Sequence, residues 1–482
     1  MSIQPSAALT PDVCLFSALE LAQMIRTKKI SAREVLAAHL KQIERVNPKV
    51  NAIVSPAIEA AQECARRADE ATAAGKPLGL LHGLPIAHKD LQPTKDIPTT
   101  FGSRIFQDFL PENDSLTVER LKRAGAITVG KTNTPELGAG SQTFNEVFGA
   151  TCNPYDLGKT CGGSSGGAAV ALATYMLPIA DGSDMGGSLR NPASFCNVVG
   201  MRTSPGRVPV WPAPMGWSTF GVDGPMARSV ADAAFLLSAM AGPDARSPIS
   251  LQEPGELFAA PLQRDFRRVR VAWWKGLGGL PFDPQVRQVV NEQRRVFESL
   301  GCIVEEAEPD FTGTDNVFKI LRAWLFVVRF AEMAKLHRPL IKDTILWEIE
   351  RGEKLTAREI GDAEVSRTGL FHRMRKFMET YEFFIMPVCQ VLPFDINQPY
   401  VAEIDGVKMS TYIDWMKSCY YISTLGNPAL SLPCGFSREG LPIGLQIVGR
   451  HRDDWGVLQI GHAVEQLIGP SLRRMPPVIL GN

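Results

Sequence analysis

The sequence has no excess of charge of either sign, because 51 Lys and Arg residues balance 51 Asp and Glu residues in 482 positions. This balance removes the electrostatic attraction that nucleic acid or an anionic membrane would need, so neither is predicted as a partner. No uncharged apolar run reaches the roughly 18 residues of a membrane span. The N-terminal residues also lack the charged and apolar segments of a signal peptide. We therefore expect a cytoplasmic protein.

The sequence also lacks the cysteine spacings of a metal site or a disulfide framework. Its nine cysteines are scattered, with no C-x-x-C pair and no histidine-rich segment near them. Such spacings mark zinc sites and disulfide-rich domains, and the cytoplasm keeps scattered thiols reduced. We predict no metal, no cofactor and no disulfide framework. Internal repeats and low-complexity tracts are lacking as well, so residues 1–482 are interpreted as a single domain.

The patterns that are present predict alternating helices and strands. Two S-x-x-E capping boxes, at 17–20 and 31–34, predict helices near the N-terminus. The apolar residues 84–87 predict a buried strand, and residues 168–180 a buried helix that runs into another strand. Near the C-terminus, two β-rich runs flank the turn-forming letters SREG. The alternation continues to about residue 240 and favours an α/β layered domain.

Residues 125–132, GAITVGKT, have the letters of a nucleotide-binding P-loop but not its context. A P-loop follows a strand and opens a helix. Here the preceding residues predict a helix that ends at Gly125, and the interior letters AITV favour a strand. Thr134 and Pro135 argue against a helix that begins at Lys131. We interpret the segment as a helix-to-strand turn followed by a buried strand.

Two segments combine glycine with serine, namely 161–167 (CGGSSGG) and 184–190 (DMGGSLR). Glycine lets backbone N–H groups come close to a reacting carbonyl. Each segment alone also fits an ordinary flexible loop. Their co-occurrence, each beside apolar sequence, favours a buried functional role. The first segment also satisfies G-x-S-x-G at Ser164 and at Ser165, which raises the alternative of an α/β-hydrolase nucleophile elbow.

That alternative requires a histidine downstream of the serine, and the candidates are poorly placed for it. His337 and His372 lie in charged helical patterns. His451 lies in a basic turn and His462 in an amphipathic helix. We interpret all four as surface histidines, so the elbow is not favoured.

Longer stretches of the sequence resemble the amidase signature family. The similar segments are 83–90 (GLPIAHKD), 130–156, 162–173 (GGSSGGAAVALA), 181–202 (DGSDMGGSLRNPASFCNVVGMR), 224–234 and 426–450. They occur in the family's order and lie within roughly 15–245 and 385–470. The resemblance implies an α/β fold, a single large domain with a central mixed β-sheet covered by helices on both sides.

Residues 255–415 have longer helical patterns and more charge than the segments before them. Together with the resemblance, this change indicates a division of the chain into four parts. Residues 1–75 would form an N-terminal helical region that packs on the core, and residues 80–245 the catalytic signature core. Residues 255–415 would form a variable, mostly helical substrate-pocket region, and residues 416–482 the C-terminal β/α part of the core.

Carried over by motif, the resemblance implies that Ser188 is the nucleophile, Ser164 the bridging serine and Lys89 the base. It also implies a cis peptide bond between Gly163 and Ser164. A lysine acts as a base only when neutral, and burial lowers its pKa towards that state. The apolar residues before Lys89 fit such a pocket. Lys89 would draw a proton through Ser164 while Ser188 attacks the substrate carbonyl.

The resemblance places the oxyanion hole at the backbone N–H groups of Met185, Gly186, Gly187 and Ser188. Preorganised donors of this kind stabilise the charge that develops on the attacked carbonyl oxygen. The family more often has threonine where this sequence has Met185, a change that keeps the backbone donor and adds an apolar side chain. His88, where the family often has an apolar residue, is interpreted as a neutral, packed imidazole.

Three further groups of residues are implied around the triad. The loops would be oriented by Ser165, Asp184 and Arg190. A purely structural salt link is the favoured role for the charged pair among them. Small residues that leave room for a bulky or aromatic acyl group would contact the substrate, namely Gly138, Ala139 and Gly140. An aromatic stripe is more often core than pocket, so the opposite wall has weaker candidates in Tyr412, Trp415 and Tyr420.

The implied activity is hydrolysis of the C–N bond of a small-molecule amide, aliphatic or aryl (an anilide). The same chemistry extends to carbamates (urethanes) and esters, because each presents a carbonyl with a leaving group. The expected partner is this substrate, and a homodimer is included among the expected assemblies. The alternatives are the glutaminase subunit of a tRNA-dependent amidotransferase, an α/β-hydrolase-type esterase, and a non-catalytic scaffold. The retained lysine and both serines argue against the scaffold.

Overall fold

The computed structural model describes residues 12–469 and 474–480. The prediction that a signal peptide is lacking concerns residues 1–16, of which the first eleven lie outside the described residues. The helices are α1 (Asp12–Leu15), α2 (Ala18–Arg26), α3 (Ala32–Val50), α4 (Ile58–Ala73), α5 (Leu116–Arg123), α6 (Gly166–Ala173), α7 (Arg190–Phe195), α8 (Val230–Met240), α9 (Pro284–Glu292), α10 (Arg294–Ser299), α11 (Thr314–His337), α12 (Asp343–Glu353), α13 (Ala357–Thr380), α14 (Lys417–Leu425), α15 (Asp454–Ile468) and α16 (Pro477–Leu480).

The strands form one large sheet and three small ones. They are β1 (Ile53–Val54), β2 (Pro85–Lys89), β3 (Ile127–Thr132), β4 (Phe144–Asn145), β5 (Gly149–Ala150), β6 (Ile179–Asp184), β7 (Val199–Arg202), β8 (Val222–Ala227), β9 (Arg270–Trp273), β10 (Ile303–Glu306), β11 (Phe383–Pro387), β12 (Glu403–Ile404), β13 (Val407–Lys408), β14 (Ala429–Phe436) and β15 (Pro442–Gly449). The large sheet has eight strands in the order β10-β9-β11-β15-β14-β7-β8-β6. A three-stranded sheet has the order β1-β3-β2, and β4-β5 and β12-β13 are two-stranded.

The large sheet is mixed, as predicted. Strands β10, β9 and β11 are parallel to one another, and the remaining neighbours are antiparallel. Helices α6, α7, α8, α9 and α15 pack against it. The described chain is therefore a single α/β domain with a mixed sheet flanked by helices, and the predicted fold class is confirmed.

Local signals in the sequence account for many of these elements. Ser17 and Ser31 each cap a helix through a complete capping box, so both N-terminal predictions are confirmed. Residues 127–132 form a buried strand after α5, which confirms that this segment is not a P-loop. Gly125 has φ of +89°, and a Cβ there would lie 2.9 Å from the Cα of His82, so the turn requires glycine.

The segment 255–415 contains the long helices α11 and α13, in agreement with its helical pattern. It also contributes β9, β10 and β11 to one edge of the large sheet, which the sequence pattern did not predict. These strands are four or five residues long. Apolar runs as short as these do not distinguish a strand from part of a buried helix.

Within the described ranges, no helix is both long enough and apolar enough to cross a membrane. The same part of the chain contains no group of three or more His, Cys, Asp or Glu side chains that could hold a metal ion. The nine cysteines are free thiols, and seven of them are buried.

Candidate active site

Lys89 lies at the end of β2, whose five residues are all buried. Its Nζ donates hydrogen bonds to the Oγ atoms of Ser164 and Ser165, both at 2.8 Å. It also contacts the Oγ of Ser183 at 3.1 Å and the carbonyl oxygen of Ser183 at 3.3 Å. The amino group is thus surrounded by hydroxyl and carbonyl oxygens and, among the described residues, makes no hydrogen bond to a carboxylate. This environment solvates the amine without holding it in the charged form.

Burial lowers the pKa of Lys89 from 10.5 to about 7, against the opposing negative charges of Asp223, Asp184 and Asp181. A lysine with this pKa is substantially neutral at physiological pH. A neutral Nζ has a lone pair that accepts a proton. The structure thus supplies a base in hydrogen-bond contact with Ser164.

A buried carboxylate fixes the backbone beside Lys89. Asp181 on β6 accepts the N–H of Lys89 at 3.2 Å, and its other oxygen lies 2.7 Å from Nδ1 of His88. Nε2 of His88 lies 3.0 Å from the Oγ1 of Thr128 on β3. The imidazole is fully buried and joins β2 to its neighbours on both sides. His88 therefore packs within the core, as expected, but with two polar partners that the sequence did not reveal.

The segment that carries Ser164 is packed too closely for any residue larger than glycine. The Gly163–Ser164 peptide bond is cis, as the family resemblance implied. A Cβ on Gly166 would lie 2.2 Å from the Oγ1 of Thr143, and one on Gly167 would lie 2.3 Å from the backbone N of Asn133. The neighbouring atoms occupy the positions that a side chain would need, so this segment requires glycine for close packing and is not a flexible loop.

Ser188 lies in the loop between β6 and α7 and is 9% exposed. Its carbonyl oxygen accepts the N–H of Ser165 at 3.1 Å, which joins the two serine-containing segments. Ser164 and Ser188 line the same cleft. The structure therefore brings together all three residues of the implied triad.

Asp184 organises the loop that precedes Ser188. Its oxygens accept the N–H groups of Gly187 at 3.0 Å and Leu189 at 3.1 Å, and they form ion pairs with Arg190 and Arg202. Burial alone would raise the pKa of Asp184, but the two arginines outweigh it and hold the pKa well below its usual range. Asp184 and Arg190 thus orient the loop through a salt link, as expected, and Arg202 is an additional partner.

The hydrogen bond to Asp184 corrects the predicted oxyanion hole. The N–H of Gly187 is used by the Asp184 carboxylate, and a Cβ on Gly187 would lie 2.7 Å from Cys419 and from Asn191. We therefore assign Gly187 to the support of the loop. The donors that remain are the N–H groups of Met185, Gly186 and Ser188, all from residues that line the cleft.

The cleft above the triad has a volume of about 240 Å³. Its lining combines polar and apolar surface in similar amounts, and its large apolar side chains include Leu137, Met185, Trp211, Met215, Phe326 and Phe330. Gly138 and Gly140 line it as predicted, and a Cβ on Gly138 would lie 3.8 Å from the Oγ of Ser164. Asp223 lines it as well, with its carboxylate held by Gln92 at 2.7 Å and Thr117 at 2.8 Å.

Ala139 does not line the cleft, contrary to the prediction. It is fully buried in an apolar cluster with residues such as Phe326 and Ile345, and its carbonyl oxygen accepts a hydrogen bond from Nζ of Lys342 at 2.7 Å. Gly138 and Gly140 have φ of +69° and +100°, so the chain turns at each of them. Ala139 between them is directed into the protein.

The three aromatic candidates for the opposite wall belong to the core. Trp415 and Tyr420 are buried, and the Tyr420 ring stacks on Phe318 with centroids 4.2 Å apart. Tyr412 lies behind the wall, where its hydroxyl accepts a hydrogen bond from Arg322 at 2.8 Å. Met416 from the same segment does line the cleft. Only the tertiary packing reveals which side of this segment faces the substrate.

The sequence interpretation missed Asp181, Ser183, Arg202 and Asp223 as parts of the site. Asp181 and Ser183 alternate along β6 and therefore point to the same side of the strand, towards β2. That alternation was readable once residues 179–184 were assigned to a strand. Asp223 has no such signal, because its place depends on the cross-strand register that sets it opposite Ser183.

Comparisons with known proteins agree on one family. A family model described as Amidase matches residues 34–458. The acylamidase of Rhodococcus erythropolis is 34% identical over 449 residues, which cover 92% of this chain and 93% of the relative. A glutamyl-tRNA(Gln) amidotransferase subunit from a Synechococcus species is 35% identical over 468 residues, which cover 92% of this chain and 94% of the relative. The crystal structure of a bacterial aryl acylamidase of the amidase signature family superposes with a TM-score of 0.91 and 27% identity, covering 98% of this chain and all of that one.

Proposed function

The chain belongs to the amidase signature family and is a hydrolase of carbon–nitrogen amide bonds, and we propose that it acts through an acyl-enzyme on Ser188, with Lys89 as the base. The observation that carries the proposal is the buried Nζ of Lys89, whose pKa is about 7, at 2.8 Å from the Oγ of Ser164. A serine nucleophile needs a base that removes its proton. The neutral amine of Lys89 can do so through Ser164, which lines the same cleft as Ser188.

In the proposed acylation step, the Oγ of Ser188 forms a bond with the substrate carbonyl carbon. Its proton passes to the Oγ of Ser164, which gives its own proton to Nζ of Lys89. The negative charge that develops on the carbonyl oxygen is stabilised by the N–H groups of Met185, Gly186 and Ser188. Asp184 keeps these groups in place through its hydrogen bonds and ion pairs around the loop.

The tetrahedral intermediate then collapses. The C–N bond breaks, and the proton held by Lys89 returns through Ser164 to the leaving nitrogen. Water then attacks the carbonyl carbon of the Ser188 ester and gives a proton through Ser164 to Lys89. The bond between this carbon and the Oγ of Ser188 breaks, and the relay returns the proton to this Oγ, which releases the acid and restores neutral Lys89. Ser165 and Ser183 hold the amino group in position throughout, because both accept hydrogen bonds from Nζ.

We propose small aryl and alkyl amides as the substrates, with anilides foremost. The cleft wall includes large apolar and aromatic side chains, among them Trp211, Phe326 and Phe330, which suit an apolar or aromatic group. Two similar proteins carry the names acylamidase and aryl acylamidase. The same relay also serves carbamates and esters. Residues 80–245 would supply the chemistry, while α11 from the 255–415 segment forms one wall of the cleft.

The second candidate function is the glutaminase subunit of a tRNA-dependent amidotransferase. It is favoured by the similarity to glutamyl-tRNA(Gln) amidotransferase subunits, which are 31–35% identical to this chain. Such a protein would act on glutamine within an assembly. The first proposal predicts that the purified chain hydrolyses anilides without a partner. Activity only on glutamine, and only with added partner subunits, would favour the second.

The catalytic assignment is tested by measuring kcat/KM on an acyl p-nitroanilide for alanine variants of the purified chain. Lys89→Ala, Ser164→Ala and Ser188→Ala should each lower kcat/KM by at least ~100-fold, the lower end for the loss of a general base. His451→Ala and His462→Ala serve as matched controls and should retain activity. Loss of activity in the histidine variants, with Lys89→Ala still active, would replace the proposal with the α/β-hydrolase mechanism.

A further inference from the structure

One positive charge in the cleft, that of Arg329, differs from the other charges around it. Four charged residues line the cleft: Asp184, Asp223, Arg322 and Arg329. Asp184 is paired with two arginines, Asp223 accepts two hydrogen bonds, and Arg322 is paired with Glu348. Within the ranges that the structure describes, no ion pair or hydrogen bond joins the guanidinium of Arg329 to another residue.

The position of Arg329 on its helix directs it towards the substrate. Arg322, Phe326 and Arg329 follow one another along α11 at intervals of four and three residues, Phe330 lies four residues after Phe326, and all four line the cleft. Residues at these spacings share one face of a helix. Arg329 is exposed and lies on this face. Its charge is therefore presented at the open part of this wall.

Arg322, on the same face of α11, is an arginine whose charge is already paired. Its guanidinium is buried, contacts Glu348 at 2.9 Å and Tyr412 at 2.8 Å, and lies over the ring of Phe326. It has few donors left for a ligand. The pKa of Arg329, in contrast, is lowered by partial loss of solvent and by the nearby positive charge of Arg322. A negative group beside Arg329 would stabilise its charged form and so oppose both effects.

We infer that Arg329 is a specificity residue that binds a carboxylate on the substrate, so that the enzyme prefers amides carrying a negative charge away from the scissile bond. The inference rests on the proposed function of the same cleft. A guanidinium offers paired N–H donors that match both oxygens of a carboxylate. The protein walls of the cleft lower the local dielectric and strengthen such a pair relative to one on an open surface.

The test uses pairs of substrates that differ only in one carboxylate. Glutaric acid mono-p-nitroanilide is compared with pentanoic acid p-nitroanilide for a charge on the acyl side. N-acetyl-4-aminobenzoate is compared with acetanilide for a charge on the leaving group. In at least one pair, Arg329→Gln should lower kcat/KM for the charged substrate by ~10–100-fold, the range for a hydrogen bond to a charged group. It should leave the neutral substrate within about twofold, and Arg329→Lys should retain part of the preference.

Arg358→Gln is the control, because Arg358 is 89% exposed and lies on α13, away from the residues of the cleft. A wild-type enzyme without preference in either pair, or an Arg329→Gln variant that slows both members equally, would overturn the inference. Binding of glutaric acid mono-p-nitroanilide to Ser188→Ala, with and without Arg329→Gln, is measured by calorimetry and does not need turnover. If the substrate binds in an Arg329-dependent way but is not hydrolysed by the wild-type enzyme, the proposed mechanism is wrong and the inference stands. If binding does not depend on Arg329, the inference is wrong.

Discussion

In the proposed mechanism the chemistry depends on Lys89, and the surroundings of this residue explain why it can be neutral. The chain contains other buried cations, such as Arg190 and Arg202, but these contact the carboxylate of Asp184 directly. Within the described chain, Lys89 contacts only serine atoms through its amino group. A buried charge without a direct counterion is costly, so the neutral amine is favoured. The surroundings that disfavour the charged form of Lys89 therefore also leave its amino group free to accept a proton.

The rate of acylation should therefore depend on the ionisation of Lys89. The pKa of Lys89 is about 7, so the neutral fraction rises as the pH increases through 7. We predict that kcat/KM for a neutral anilide falls by about tenfold per pH unit well below pH 7 and levels off above about pH 8, as for a single ionisation. A pH–rate profile of the wild-type chain checks this. Constant kcat/KM down to pH 5 would show that no base of this pKa is used.

Asp223 provides a second test of the same residue. Its pKa is raised to about 6 by burial, so it is ionised at pH 7, and its charge raises the pKa of Lys89. Asp223→Asn removes this charge, and we predict that the midpoint of the pH–rate profile moves to lower pH. Glu146→Gln, at an exposed position, is the control and should leave the midpoint unchanged. An unchanged or higher midpoint for Asp223→Asn would contradict the assigned electrostatics.

The sequence predicts the three residues of the proposed triad but not the residues that set the pKa of Lys89 or position the loop before Ser188. Lys89, Ser164 and Ser188 lie in distinctive local motifs, and the structure brings them together. The position of Asp223 depends on strand register, and the hydrogen bond from the N–H of Gly187 depends on the orientation of the Asp184 carboxylate. Local sequence contains neither kind of information. Residues defined by long-range geometry are therefore the ones that were missed.

At the scale of elements, the wall of the cleft depends on how α11 packs on α12. Helix α11 carries Arg322, Phe326, Arg329 and Phe330, and it lies against α12 at Gly352. A Cβ on Gly352 would lie 2.3 Å from the carbonyl oxygen of Ala323. The two helices can approach this closely only because position 352 has no side chain.

We predict that Gly352→Ala destabilises the protein by about 1–3 kcal/mol, because the added methyl group meets backbone that cannot move aside. The shift of α11 should also raise KM for anilides. The matched control is Gly369→Ala on α13, where nothing lies within 4 Å of the new Cβ. That change should be neutral or stabilising by up to about 1 kcal/mol, because alanine favours the helix. Urea unfolding measures both variants, and equal effects would refute the packing argument.

The sequence was informative about elements with strong local signals and uninformative about short strands. Capping boxes located the beginnings of α2 and α3, and two β-rich runs on either side of a turn located β14 and β15. Strands β9, β10 and β11 were hidden inside a helical pattern, because each is too short to show its own period.

At the scale of the whole molecule, the candidate site lies where two sheets meet. Lys89 comes from β2 of the three-stranded sheet, and its partner Ser183 comes from β6 at the edge of the eight-stranded sheet. The two serines belong to loops that follow in the chain, and the cleft wall comes from α11. The complete fold is therefore needed to assemble the proposed base, the proposed nucleophile and the cleft, in agreement with a family match that extends over most of the chain.

The central claim is that Ser188 becomes acylated with the help of neutral Lys89. Mass spectrometry of the enzyme, quenched during the first turnovers of an acyl p-nitroanilide, tests it most directly. We predict an acyl adduct on the peptide that contains Ser188, no adduct in Ser188→Ala, and formation at least ~100-fold slower in Lys89→Ala. An adduct on another residue, or one that forms in Lys89→Ala at the wild-type rate, would contradict the account.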